Sequence, residues 1–187
     1  METFSISALV VAIAEIGDKT QLLAIVLTAR FARPWPVLAG IFVATIANHV
    51  LAATAGYYIS GLLDGQLFRI AVACGFIAMA AWALVPDKEE AAPAAANDAG
   101  VFVSTLVAFF LVEIGDKTQI ATTALAARFH DIAFVTAGTT AGMMLANAPA
   151  VFLGEKMTQI APLRYVRTAA ALVFLALGIW ALAEALG

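Results

Sequence analysis

Charge is scarce in this sequence. Of 187 residues only 12% are Asp, Glu, Lys or Arg, about half the share usual in soluble domains. Apolar residues make up 63% of the chain and give a mean hydropathy of +0.96. That composition excludes a soluble globular domain and points to an integral membrane protein. Basic tracts are also missing, and with a net charge of −3 the chain offers no surface to nucleic acid. A single cysteine, Cys74, excludes an intrachain disulfide, carries no ligand pattern and reads as a small buried hydrophobe. The start, Met1-Glu2-Thr3-Phe4, lacks the basic n-region of a secretory signal. Its apolar run continues into charged residues instead of a cleavage site, so it reads as a retained first helix.

A membrane-spanning helix needs about 20 mainly apolar residues. Six runs qualify: Phe4–Ala29, Val37–Tyr58, Gln66–Val85, Val101–Ala127, Ile132–Leu153 and Tyr165–Leu186. Residues 86–100, polar and alanine-rich with two prolines, read as a solvated linker between residues 1–85 and 101–187. These two parts are repeats at an offset of 98. EIGDKTQ occurs at 15–21 and again at 113–119, and Phe4/Phe102, Leu27/Leu125, Ala29/Ala127, Arg30/Arg128, Phe31/Phe129, Gly40/Gly138 and Gly56/Gly154 fall in the same register. Three spans is an odd number, so the second part enters the membrane from the opposite side. The expected fold is therefore all-α, six transmembrane helices arranged as two inverted three-helix repeats. Apart from Lys19 and Lys117, the even connections carry Arg30, Arg33, Lys88, Lys156, Arg164 and Arg167, and the odd ones only Arg69 and Arg128. By the positive-inside rule the linker is cytoplasmic and both termini lie outside.

Each EIGDKTQ motif sets three charges inside an apolar run. Glu15 and Glu113 each lie eleven residues beyond a Phe near the start of their span, or about 16 Å along a helix, near the middle of a core about 30 Å thick. On a continuous helix Glu15, Asp18, Lys19 and Leu22 share one face, Gln21 flanks Asp18, and Thr20 points elsewhere. Gly17 and Gly115 either admit a neighbouring helix or mark a break that frees backbone carbonyls. Six charges facing lipid would cost roughly 15–20 kcal/mol, more than a domain's net stability, so they face inward. Four carboxylates and two ammonium groups sum to −2, which one divalent cation would neutralise. The competing structural reading pairs Glu15 with Lys19 and Glu113 with Lys117 at i, i+4. It leaves Asp18 and Asp116 without partners.

The motifs hold oxygen donors and neither His nor Cys, a set suited to Mg, Ca or Mn. Asn48 in the second span and Asn147 in the fifth are supporting candidates, either as amide ligands or as interhelical hydrogen-bonding groups. His49 has no histidine counterpart in the second repeat and is read as a satisfied interior residue or a gating or proton-transfer group. Pro149 is expected to kink the fifth span.

The twin motif in a six-span chain with a polar central linker resembles the E-x-G-D-[KR]-[TS] cation transporter family. Bacterial members of that family include manganese exporters, and eukaryotic relatives supply the Golgi with Mn2+ or Ca2+. The resemblance covers essentially the whole chain and neither motif departs from the pattern. It implies export of Mn2+ across the inner (plasma) membrane in exchange for protons, with Ca2+/H+ antiport as the alternative. Glu15, Asp18, Glu113 and Asp116 would hold the ion, and Thr20, Thr118, Gln21 and Gln119 would assist. The metal is then cargo, no cofactor or enzymatic activity is expected, and the partners are the ion, protons and the bilayer, with a homo-oligomer compatible with the sequence. From another class, two membrane aspartates could serve an intramembrane aspartyl-type hydrolase. Against it, such enzymes pair two different motifs, whereas here the two are identical.

Overall fold

A computed structural model describes residues 1–62, 65–85, 98–153 and 163–186, and everything described is helix or short connection. The helices are α1 (Glu2–Glu15), α2 (Lys19–Phe31), α3 (Pro34–Leu62), α4 (Gln66–Ala83), α5 (Asp98–Glu113), α6 (Lys117–Phe129), α7 (Ile132–Leu153) and α8 (Leu163–Leu186). Three stretches are long and apolar enough to cross a membrane: Pro34–Gly61, Gln66–Ala83 and Thr168–Leu186. α5 and α6, bent by 68° at their junction, make a fourth if counted as one span. α7 has the length, 22 residues, but Thr, Gly and Asn lower its apolar character. Pro149 sits inside it without ending it. Residues 86–97 of the linker, Lys88 and Lys156 among the loop charges, and Gly154 lie outside the described residues. So do the side chains of Arg164 and Arg167. Residues 98–100, assigned to the linker from the sequence, already form the first turn of α5.

The first and fourth apolar runs are not continuous helices. α1 stops at Glu15, Ile16 is extended with ψ 115°, Gly17 takes φ 78°, and Asp18 is the extended N-cap of α2. The second copy repeats this, with Gly115 at φ 77° and Asp116 as N-cap of α6. A positive φ strains any residue with a Cβ, so glycine is what permits the turn. Around Gly115 an added Cβ would meet nothing within 4 Å. Of the two roles open to that glycine, the break is the one realised. The single stripe drawn on a continuous wheel is corrected accordingly, because the chain changes direction between Glu15 and Asp18.

Glycines of α3 and α7 dock these helices against backbone. A Cβ on Gly138 of α7 would lie 2.5 Å from the Phe4 carbonyl oxygen, and one on Gly40 of α3 would lie 2.8 Å from that of Phe102. Both members of each pair are related by the offset of 98, so the same contact forms between α1 and α7 and between α5 and α3. Two apolar clusters result. One gathers Val10, Phe76, Leu125 and Phe174, and the other Leu23, Leu27, Ile41 and Phe109. At each break the chain passes from one cluster to the other, which leaves the motifs between them. α4 and α8 pack together at the periphery with only 28% of their spanning windows buried, against 50% for α3. Cys74, expected inside, is exposed on α4, where a thiol is apolar enough for an outward face.

Candidate metal centre

All four motif carboxylates are buried: Glu15 and Glu113 fully, Asp18 and Asp116 to 3% exposure. One oxygen each from Glu15, Glu113 and Asp116 lies within 4.8 Å of the others. Hard divalent cations sit about 2.0–2.6 Å from their oxygen ligands, so oxygens around one ion lie no more than about 4–5 Å apart. The three acids fit that limit, and two of them come from the second motif and one from the first.

Each glutamate is held by one oxygen and leaves the other bare. The Thr20 hydroxyl donates to Glu15 Oε2 at 2.6 Å, and the Thr118 hydroxyl to Glu113 Oε2 at 3.0 Å. Asn147 Nδ2 also donates to Glu15 Oε2, at 3.3 Å. Thr20 therefore faces the site, not away from it, because the break swings the start of α2 back over the end of α1. Among the described residues Glu15 Oε1, Glu113 Oε1, Asp116 Oδ2 and Asn147 Oδ1 are buried with no hydrogen-bond partner. Buried acceptors are normally satisfied, and four bare oxygens on these side chains are chemically suited to accept a cation.

Lysines cross between the motifs. Lys117 Nζ lies 3.1 Å from Asp18 Oδ1, and Lys19 Nζ lies 3.4 Å from Asp116 Oδ1. The i, i+4 pairing within each motif is thus replaced by a reciprocal exchange, which also gives both aspartates partners. Lys19 further donates to the Val112 carbonyl at 2.9 Å, a group freed by the end of α5. Asp18, held by Lys117, stands outside the three-acid group.

The glutamines clasp the breaks. Gln21 Oε1 accepts from the Gly17 N–H at 2.8 Å, and Gln119 Oε1 from the Gly115 N–H at 2.6 Å. Asp at the N-cap and Gln three residues on is a capping-box spacing, yet neither aspartate side chain caps its helix. Gln takes over the backbone, and the carboxylate stays available. The amide ends then tie to the neighbouring helices: Gln21 Nε2 donates to the Ala146 carbonyl at 3.0 Å, and Gln119 Nε2 to Asn48 Oδ1 at 3.3 Å. Asn48 in turn donates to the Phe110 carbonyl at 3.2 Å. Asn147 reaches a carboxylate directly, whereas Asn48 acts through Gln119. His49 is fully buried, with neither ring nitrogen hydrogen-bonded among the described residues.

What the sequence missed was the lysine exchange and the clasping by glutamine. The duplicated motif was the available signal for the first, and the N-cap spacing for the second. The family profile described as divalent cation/proton antiporter GDT1 matches residues 3–91 and 101–187. A Vibrio cholerae serotype O1 protein named "Putative manganese exporter" is 44% identical over 176 residues, covering 94% of this chain and 88% of that one. A GDT1-like protein of Synechocystis sp. is 29% identical over 175 residues, covering 83% and 84%. No solved structure matches significantly. Matched along both of its parts by that profile, the chain belongs to the GDT1 family of divalent cation/proton antiporters.

Proposed function

We propose that the protein is a secondary transporter that moves Mn2+ out of the cytoplasm in exchange for protons, using the two motifs as one site. The observation that carries this reading is the convergence of Glu15, Glu113 and Asp116 with their unsatisfied buried oxygens. A bare carboxylate in a dry interior must be neutralised, by a cation or by protons. Four carboxylates and two lysines leave −2, so one divalent ion or two protons bring the site to the same total charge. Neither loaded state then carries a large charge through the bilayer. Oxygen donors suit Ca2+ as well as Mn2+, and the manganese assignment leans on the name of the Vibrio relative.

Alternating access follows from an inverted pair of three-span repeats, with α1 and α2 together forming the first span and α5 and α6 the fourth. The contacts repeated at offset 98 and the reciprocal lysine exchange support that arrangement. Ser60, Arg69, Arg128 and Glu184, from the ends of α3, α4, α6 and α8, line one cavity, as expected if those ends share a membrane face. Arg33 and Asp98, at the starts of α3 and α5, are ion-paired. In our reading their face is cytoplasmic and the first is external. A hydrolase is disfavoured because each aspartate is held by a lysine of the other motif, not by the second aspartate as an acid–base dyad requires.

Proteoliposomes loaded with Mn2+ and given an opposing proton gradient test this, with membrane potential clamped. Flux should collapse when an ionophore dissipates the gradient. Flux indifferent to the gradient would overturn antiport, and preference for Ca2+ in competition would reassign the ion.

A further inference from the structure

A cavity of about 240 Å3 lies away from the metal centre, where the ends of α3, α4, α6 and α8 meet. It has room for about eight water-sized volumes. Three of these helices contain stretches able to cross the membrane, so their ends place the cavity at a membrane surface. One part of its wall is apolar, from Phe68, Val72 and Ala181, and the other carries Arg69, Arg128, His130, Ser60 and Glu184.

The polar part is built and left with spare donors. Arg128 Nη2 bonds Glu184 Oε2 at 2.6 Å, which neutralises the one acid in the lining. The same guanidinium stacks 4.2 Å above the Trp180 ring, which fixes its plane. Its Nε is buried and has no acceptor among the described residues. Arg69 also acts on Glu184 through its charge, and two arginines against that single acid leave the described lining with a surplus positive charge. Ser60 Oγ donates to the Tyr57 carbonyl at 2.6 Å and lies 3.2 Å from His130 Nδ1, so this pair is satisfied within the protein and the spare donors are those of the arginines.

We propose that this cavity binds a phosphate oxyanion, held by Arg69 and by the bare Nε of Arg128. A fixed guanidinium with an unused donor is matched by a phosphate oxygen. The adjacent apolar wall at the level of the membrane surface favours the phosphodiester of a lipid headgroup, with its glycerol and first methylenes against Phe68 and Val72.

The test uses the purified full chain in detergent. Native mass spectrometry compares adducts with phosphatidylglycerol and phosphatidylcholine, and thermal melting is followed against inorganic phosphate. Wild type should retain phosphatidylglycerol preferentially. Arg69→Gln should weaken that binding about tenfold, the loss expected for one charged hydrogen bond. Arg128→Lys, which keeps the charge and removes Nε, should weaken it similarly. Stabilisation by inorganic phosphate that Arg69→Gln abolishes would support the same site and identify free phosphate as an occupant. Equal retention of both lipids together with no response to phosphate would overturn the proposal. Binding unchanged in Arg69→Gln would overturn it too, and since Arg69 is exposed that variant tests it even if Arg128→Lys does not fold.

Discussion

Replacing Lys19 by Met should tighten cation binding and slow transport. Asp116 serves two partners: its Oδ1 lies 3.4 Å from Lys19 Nζ, and the same carboxylate belongs to the three-acid group. At an effective dielectric near 20, unit charges at that distance attract by about 5 kcal/mol. Dehydration of both groups offsets most of this, and a net value of about 1.5–3 kcal/mol is usual for a hydrogen bond to a charged group. The ammonium therefore competes with the metal for Asp116, and methionine removes the competitor while filling similar volume. Affinity for Mn2+ should rise about ten- to a hundredfold, and maximal flux should fall because release slows. Lys19→Arg, which keeps the charge, should bind like wild type. Lys117→Met should have a smaller effect on affinity, since its partner Asp18 stands outside the three-acid group. Calorimetric titration of the purified protein gives the affinity, and initial rates in proteoliposomes give the flux. Binding in Lys19→Met no tighter than in wild type, at a pH where the site stays deprotonated, would refute this reasoning.

Glu15→Gln and Glu113→Gln should each abolish Mn2+ flux while the protein remains folded and inserted, as judged by monodisperse elution; near-normal flux in either would dissolve the shared site. Apparent Mn2+ affinity should fall on acidification by about tenfold per pH unit for each competing proton, read from binding isotherms across a pH series, and a flat profile would count against competition. Gly142→Ala places a Cβ against the Ala8 carbonyl and 2.9 Å from the Ala12 nitrogen, where backbone cannot yield, so it should destabilise by about 1–3 kcal/mol or more. Gly115→Ala meets no atom within 4 Å and should lose only the left-handed backbone penalty of about 1–2 kcal/mol; thermal melting ranks the two. In a Cys74→Ala background, a cysteine at Ala95 should react with impermeant thiol reagents only after the cytoplasmic face is opened, and labelling in intact cells would reverse the orientation.

The second, third, fifth and sixth apolar runs were legible as long helices because a mainly apolar stretch of about 20 residues reports on a buried or lipid-facing helix, although α7, with its Thr, Gly and Asn, is not among the stretches apolar enough to cross a membrane. The breaks were not, since one glycine in an apolar run is compatible with a continuous helix, and only the positive φ of Gly17 and Gly115 distinguishes the two. That ambiguity propagated into side-chain direction. Thr20 was placed away from Glu15 by a wheel that does not exist across the break, and the hydroxyl in fact lies 2.6 Å from the carboxylate. Lysine pairing was hidden for another reason: local spacing offers Glu15 to Lys19, whereas the realised partner, Asp116, is remote in sequence. The duplication at offset 98 announced that two motifs exist. How they interlock is a property of packing.

The glutamine clasps give the breaks a mechanical character. At the first, α1 and α2 are joined across Ile16-Gly17 by the Gln21–Gly17 bond and a turn bond from the Asp18 N–H to the Glu15 carbonyl at 3.0 Å. The second has the same pair, with the turn bond at 3.1 Å. An unbroken helix there would resist bending with its full ladder of i, i−4 bonds. Two bonds to backbone N–H groups of about 1 kcal/mol each, with the Thr hydroxyl bond to the Glu carboxylate across the same break, make a softer joint instead, so a half-helix can tilt with the neighbour it is docked to and leave the other half in place. Because the carboxylates flank the joint, a small rotation there changes the distances between ion ligands more than it disturbs the apolar clusters on either side.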